Sequence, residues 1–180
     1  TNANGVDLNR NGKFRWETSD STNPDSTRYK GSQPVSEVET QYVRDLIFDN
    51  RDAIACIDYH MHGSSGDDYK TLFWHYLEDF RGQYGFDDFN KLSKYNIGKI
   101  TREGQKRYDI ADDSGFLGYV SYNNKSSTLA GYAYSLGVPA ATLECTRKLP
   151  GEKNVYSSKT LQLCTEFIGN SIMNITRYLT

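Results

Sequence analysis

At 180 residues, with 37% hydrophobic and 24% charged side chains, the chain has the size and composition of a folded domain able to bury a core. A net charge of −2 gives no reason to expect nucleic acid or an anionic membrane as a partner. No apolar run nears the roughly 20 residues that cross a bilayer. Cys56, Cys145 and Cys164 are odd in number and sit in apolar stretches, which reads as buried free thiols rather than a disulfide framework.

In chain order, the first element is an extended Val6-Asp7-Leu8 followed by Asn9-Arg10-Asn11. Residues 17 to 35 are rich in Ser, Thr, Asn, Asp and Pro and read as a long loop. Ser36 followed three positions later by Glu39 has the form of a capping box. Val38, Tyr42, Val43 and Leu46 then recur at helical spacing, predicting an amphipathic helix over 37 to 49. The apolar run from Ala53 to Tyr59 reads as a buried strand. Phe73, Tyr76, Leu77, Phe80 and Tyr84 fit the buried face of a further helix, ended by Gly82 and Gly85. Residues 86 to 118 carry no decisive pattern. Ser127 to Leu136 predicts a helix stopped by Gly137 and Pro139, and Ala140 to Cys145 a buried strand. Leu161, Cys164, Ile168, Ile172, Ile175 and Leu179 lie on one stripe of a long final helix. Strands alternating with helices predict an α/β domain over residues 1–180.

Several side chains have chemistry beyond packing. Arg10 offers a planar fork that matches a carboxylate in bidentate geometry, and Asn9 beside it adds an amide donor. His60 stands at the end of a strand, at the sheet edge where open α/β sheets bind ligands, and imidazole is a ready zinc ligand. His62 repeats it two positions on as a second cleft residue. His75-x-x-Glu78 is a literal metal motif, but on the predicted helix its two polar residues fall opposite the apolar face as a solvated pair. Glu144 closes an apolar strand, where a carboxylate can serve as a general base.

Taken together, Gly5-Val6-Asp7-Leu8-Asn9-Arg10-Asn11, Tyr29-Lys30-Gly31, Ser36-Glu37-Val38-Glu39-Thr40, Asp58-Tyr59-His60-Met61-His62-Gly63 and Thr142-Leu143-Glu144 resemble the zinc carboxypeptidases of the M14 family. The likeness runs from about Gly5 to Arg147, and the final helix extends it to the end. It implies a mixed, mostly parallel sheet with helices on both faces, and a chain that is N-terminally truncated relative to the family. It also implies roles: His60 as a zinc ligand, Glu144 as the catalytic glutamate, and Asn9 and Arg10 as readers of a C-terminal carboxylate. Asp7 matches an aspartate that orients a zinc histidine. Tyr122, with Tyr119 as the alternative, matches a tyrosine on a mobile covering loop. The family's His-x-x-Glu pair and a catalytic arginine lie before the Asn-Arg segment, so two further Zn2+ ligands are expected upstream of Thr1. Thr-Asn-Ala-Asn at the start is neither a signal peptide nor an initiator, as in a processed or cut product. Met61-His62 departs from the family's usual Ser-Tyr, and Arg147 falls one place later than its usual arginine. Ala130-Gly131-Tyr132, near the specificity position, carries no charge, which gives no support to a basic or acidic side-chain preference.

The expected activity is zinc-dependent hydrolysis of a peptide or peptide-like amide next to a free carboxylate, in a secreted or surface-associated setting. Two alternatives stand beside it. One is a catalytically inactive peptide- or carbohydrate-binding module that retains the carboxypeptidase fold. The other is an M14-related deacylase of an N-acyl amino acid.

Overall fold

A computed structural model of the chain describes residues 1–18, 21–61, 72–76, 106, 118–122, 128–149 and 151–179, and the backbone alone at 72–76, 118–122, 174–175 and 178–179. Its regular elements are α1 (Val38–Asp49), β1 (Cys56–Met61), β2 (Leu72–Tyr76), β3 (Gly118–Tyr122), α2 (Leu129–Ser135), β4 (Ala140–Cys145) and α3 (Ser158–Leu179), with 3-10 turns at Leu8–Arg10 and Trp16–Thr18. The strands form one sheet in the order β1-β4-β2-β3. β2 runs antiparallel to β4, placing Phe73 opposite Glu144 and His75 opposite Thr142. At the other side of β4, the Cys56 N–H that opens β1 donates to the carbonyl of Pro139, just before β4. Strand start thus meets strand start, as parallel neighbours require. The sheet is mixed, and the α/β class is as expected.

Two compact units share these elements: Thr1–Asp58 with Tyr76–Tyr84 and Tyr122–Ala141, and Tyr59–His75 with Gly85–Ser121 and Thr142–Thr180. In the first, Val6, Val35, Ala133, Val138, Ala140 and Ala141 are buried, and α1 packs against α2. Thr128 caps α2, its hydroxyl accepting from the Gly131 N–H at 3.2 Å. Gly137, at φ +87, ends that segment in the left-handed region glycine tolerates without a Cβ penalty. Residues 21–35 form the expected loop of turns, pinned by one bridge between Ser21 and Tyr29.

In the second unit, Leu143 and Cys145 of β4 lie in one core with Leu149 and with Leu163, Cys164 and Phe167 of α3. Ser157 caps α3 by accepting from the Thr160 N–H at 3.1 Å. Glu152 gathers the same corner, its two carboxylate oxygens accepting from the Ser157 and Thr160 hydroxyls at 2.5 Å each. Burial opposes the charge on Glu152. Those hydroxyls, the Leu149 N–H and the nearby Lys159 outweigh it and hold the carboxyl below its usual range.

Four sequence expectations are corrected here. β2 occupies Leu72–Tyr76 where a helix was expected. Its Leu-Phe-Trp-His-Tyr run is aromatic and suits a pleated, paired backbone, and antiparallel pairing with β4 decided against the coincidental helical spacing. The remainder of that expected helix, from Leu77 onward, lies outside the described residues, as does Glu78. His75 therefore sits on a strand. Second, α1 forms where predicted, but its expected apolar face is exposed: Val38 is 72% and Tyr42 71% accessible, and Leu46 51%. Thr40 is the buried residue of α1, with Val43, Arg44 and Ile47 half-buried on the same side. Third, α3 is turned by about one residue, burying Thr160, Leu163, Cys164, Phe167 and Ser171 while Leu161 and Ile172 stay exposed. Fourth, β1 starts three residues beyond the predicted strand start and is half-buried rather than buried. Cys56, on it, is likewise only half-buried, whereas Cys145 and Cys164 are buried as expected. No described helix is long and apolar enough to cross a membrane.

Candidate active site

His60 and Glu144 are each the penultimate residue of their strands, β1 and β4. Those strands are neighbours in the sheet, so their side chains emerge side by side at the carboxyl edge. His60 Nδ1 lies 4.0 Å from Glu144 Oε1, with the side chains 25% and 18% exposed. That separation exceeds a direct hydrogen bond. It suits two groups that address one shared atom, and their partial exposure leaves both within reach of a substrate.

The surroundings of the pair are weakly acidic groups held neutral. Burial pushes the Tyr59 hydroxyl up from its usual range, and the neighbouring Cys145 adds to the effect. A hydrogen bond to Cys164, then burial, push the Cys145 thiol up as well. Cys164 donates to the Thr146 carbonyl at 3.3 Å. Cys56, further back on β1, is pushed to about 11 by burial and by Asp58. At neutral pH Tyr59, Cys56 and Cys145 add no charge beside the carboxylate, whereas the hydrogen bond with Cys145 holds the Cys164 thiol below its usual range.

Asn9 and Arg10 sit together in the Leu8–Arg10 turn, which takes in Leu8 from the segment expected to be extended. Asp7 caps that turn, accepting the Asn9 N–H on Oδ1 at 3.1 Å, and its Oδ2 lies 4.0 Å from Arg10 Nε. The Arg10 guanidinium donates through Nη1 to the Asn9 carbonyl at 2.9 Å. In this structure Asp7 therefore orders the arginine turn. Tyr119 and Tyr122 both fall on β3, Tyr122 as its last residue, where a loop was expected. His62 lies outside the described residues.

Asn11 is the residue that carried no assigned role in the sequence. It is fully buried. Its Nδ2 donates to the Lys30 carbonyl at 2.8 Å, the Gln33 carbonyl at 3.1 Å and Ser36 Oγ at 2.9 Å. Its Oδ1 accepts from the Glu37 N–H at 3.2 Å and the Thr40 hydroxyl at 2.6 Å. Every donor and acceptor of the carboxamide is thus in use. The expected capping box gives way to this arrangement. Glu37, not Ser36, is the N-cap of α1 and makes no side-chain cap bond, while Ser36 Oγ donates to Glu37 Oε1 at 2.6 Å. The signal lay in the spacing of Asn11, Gly31 and the Ser36–Thr40 run, whose common contact is invisible until the chain folds.

The mixed sheet flanked by helices is an α/β fold. The family model for zinc carboxypeptidase, peptidase M14, matches residues 1–172, and the chain belongs to that family. Among solved structures it is similar to the carboxypeptidase A of Helicoverpa armigera at 20% identity and a TM-score of 0.65, covering 97% of this chain and 42% of that one. It is similar also to bovine thrombin-activatable fibrinolysis inhibitor, solved in complex with a tick carboxypeptidase inhibitor, at 17% identity and a TM-score of 0.64, covering 97% of this chain and 56% of that one. The chain thus spans about half the length of these structures or less. No curated protein sequence matches it.

The family's name implies zinc. A catalytic zinc takes three protein ligands and keeps one position open. Among the described residues no group of three or more His, Cys, Asp and Glu side chains is placed to hold a metal ion. His60 fits as one ligand of such a set, and the described residues do not complete it.

Proposed function

We propose that the chain carries part of the active centre of a metallocarboxypeptidase that releases a residue from the end of a peptide or peptide-like substrate bearing a free carboxylate. The observation that carries this reading is the placing of His60 Nδ1 4.0 Å from Glu144 Oε1. Zinc, when bound, supplies Lewis-acid polarisation of the scissile carbonyl. His60 is its ligand from this chain, the others being supplied outside the described residues. Glu144 takes the proton of the attacking water and returns it to the departing amine. Asn9 and Arg10 receive the substrate's terminal carboxylate, the arginine through its bidentate fork. Tyr122 closes over the bound substrate. A secreted or surface-associated setting goes with this activity.

The test is release of the last residue from paired peptides that differ only in a free or amidated C-terminus, using the full-length protein. Strong preference for the free acid is the expected result. Equal cleavage of both members removes the carboxylate reader, and cleavage of neither removes the activity.

A further inference from the structure

We infer that Asn11 is a positioning residue for the carboxylate reader: it locks the Asn9–Arg10 turn to the loop 30–37 and the first turn of α1, and so fixes where the Arg10 fork points. The inference rests on the proposed role of Arg10 and extends it to a residue that touches no substrate.

Arg10 is held through its own turn. Its Nη1 donates to the Asn9 carbonyl at 2.9 Å and its Nε lies 4.0 Å from Asp7 Oδ2. A fork tied to its own turn takes part of its aim from that turn. Asn11 closes the turn, its N–H donating to the Leu8 carbonyl at 3.2 Å. From that one residue the side chain reaches Lys30, Gln33, Ser36, Glu37 and Thr40, and its carbonyl accepts the Val35 N–H at 2.7 Å.

The loop it grips is shaped to receive it. Gly31 sits at φ +85, and a Cβ there would fall 2.5 Å from Asn11 Nδ2 and 2.6 Å from Ser36 Oγ. Val35 is held at φ 58, a left-handed conformation that a β-branched residue adopts only when its surroundings compel it. A loop that excludes a side chain at one position and holds a strained valine at another is built around the asparagine. An aimed bidentate fork is worth more than a free one because its ordering is already complete before the substrate arrives.

The experiment uses the full-length protein and the free-acid and amide peptide pair. Thr40→Val keeps the shape of α1 but removes the 2.6 Å bond to Asn11 Oδ1, and Asn11→Ala removes the whole hub. The expected result for Thr40→Val is a rise in KM for the free-acid peptide with kcat little changed, lowering the free-acid to amide ratio of kcat/KM by about tenfold, the scale of one mis-set charge-assisted bond. Asn11→Ala lowers the ratio further. If Asn11→Ala fails to fold by circular dichroism, Thr40→Val alone decides. Combining Thr40→Val with Arg10→Lys should cost little beyond Arg10→Lys alone, because both act through one contact. A parallel fall in free-acid and amide cleavage, or losses that multiply in the double variant, overturns the inference and leaves Asn11 a purely structural residue. An unchanged ratio in Arg10→Lys overturns the role of Arg10 itself, and the inference with it.

Discussion

His60 on β1 and Glu144 on β4 stand with Nδ1 and Oε1 4.0 Å apart, although 84 positions separate 60 from 144 in the sequence. Two adjacent strands bring them together, and β4 is flanked on its other side by β2. Glu144 thus rides on an interior strand, a rigid support of the kind a positioned general base needs.

Glu144→Gln in the full-length protein should retain fold and metal content while losing about 10²–10⁴-fold in kcat, the usual worth of a placed general base. The amide has the shape of the carboxylate but cannot take a proton. Steady-state kinetics beside a metal assay will check it, and near-normal turnover would show that another carboxylate does the work.

Zinc should bind weakly to the 180-residue chain by itself. The described residues offer His60 but no group of three metal-binding side chains, and affinity depends on the complete set. Metal analysis after dialysis at neutral pH will measure this. Tight stoichiometric zinc would mean that residues outside the described ones complete a site.

Acid should weaken the Asn11 region through Glu37. Hydrogen bonds from Ser36, Asn4 and Asn2 hold its carboxyl below the ordinary value of 4.5. Because the folded carboxyl binds its proton less tightly than the unfolded one, its ionisation favours folding. That contribution is complete above about 4.5 and is lost as pH falls through the lowered folded value. Thermal melts of the wild type and Glu37→Gln from neutral pH downward should show a gap that closes in acid. A gap that widens instead would reverse the assigned sign.

Phe167→Ala should be among the costliest single changes in the second unit. Phe167 is wholly buried on α3, and emptying such a site costs about 3–5 kcal/mol. Ile172→Ala, at an exposed position of the same helix, should cost far less. Denaturant titration of both variants gives the comparison, and equal losses would refute the observed orientation of α3.

The elements that local signals define were legible in advance. β4 spans the predicted Ala140–Cys145 because the mainly apolar Ala140-Ala141-Thr142-Leu143 stretch after Pro139 leaves few alternatives. Gly137 stops α2 as predicted, and the Thr128 cap starts it at Leu129, inside the predicted Ser127–Leu136. What tertiary pairing decides was not legible. Leu72–Tyr76 has helical spacing and strand-forming side chains at once, and only β4 arbitrates between them. The exposed stripe on α1 shows the same limit, since periodicity marks an apolar face without naming its cover. Motif order singled out His60 and Glu144 as a pair, and the fold sets them 4.0 Å apart. Asn11 was not legible, because its partners lie 19 to 29 positions away.

Asn11 precedes Gly12, and Asn4 precedes Gly5. In such a pair the glycine nitrogen can attack the asparagine carboxamide, turning it with time into an aspartate or its isomer. The attack requires the carboxamide to swing free. At Asn11 it is buried and fully bonded, so this clock is stopped for as long as the loop stays closed. At Asn4 the residue is exposed and the amide is tethered to Glu37. Ageing of the protein should therefore be written first at Asn4, and any lesion at Asn11 would record a time when the loop had opened.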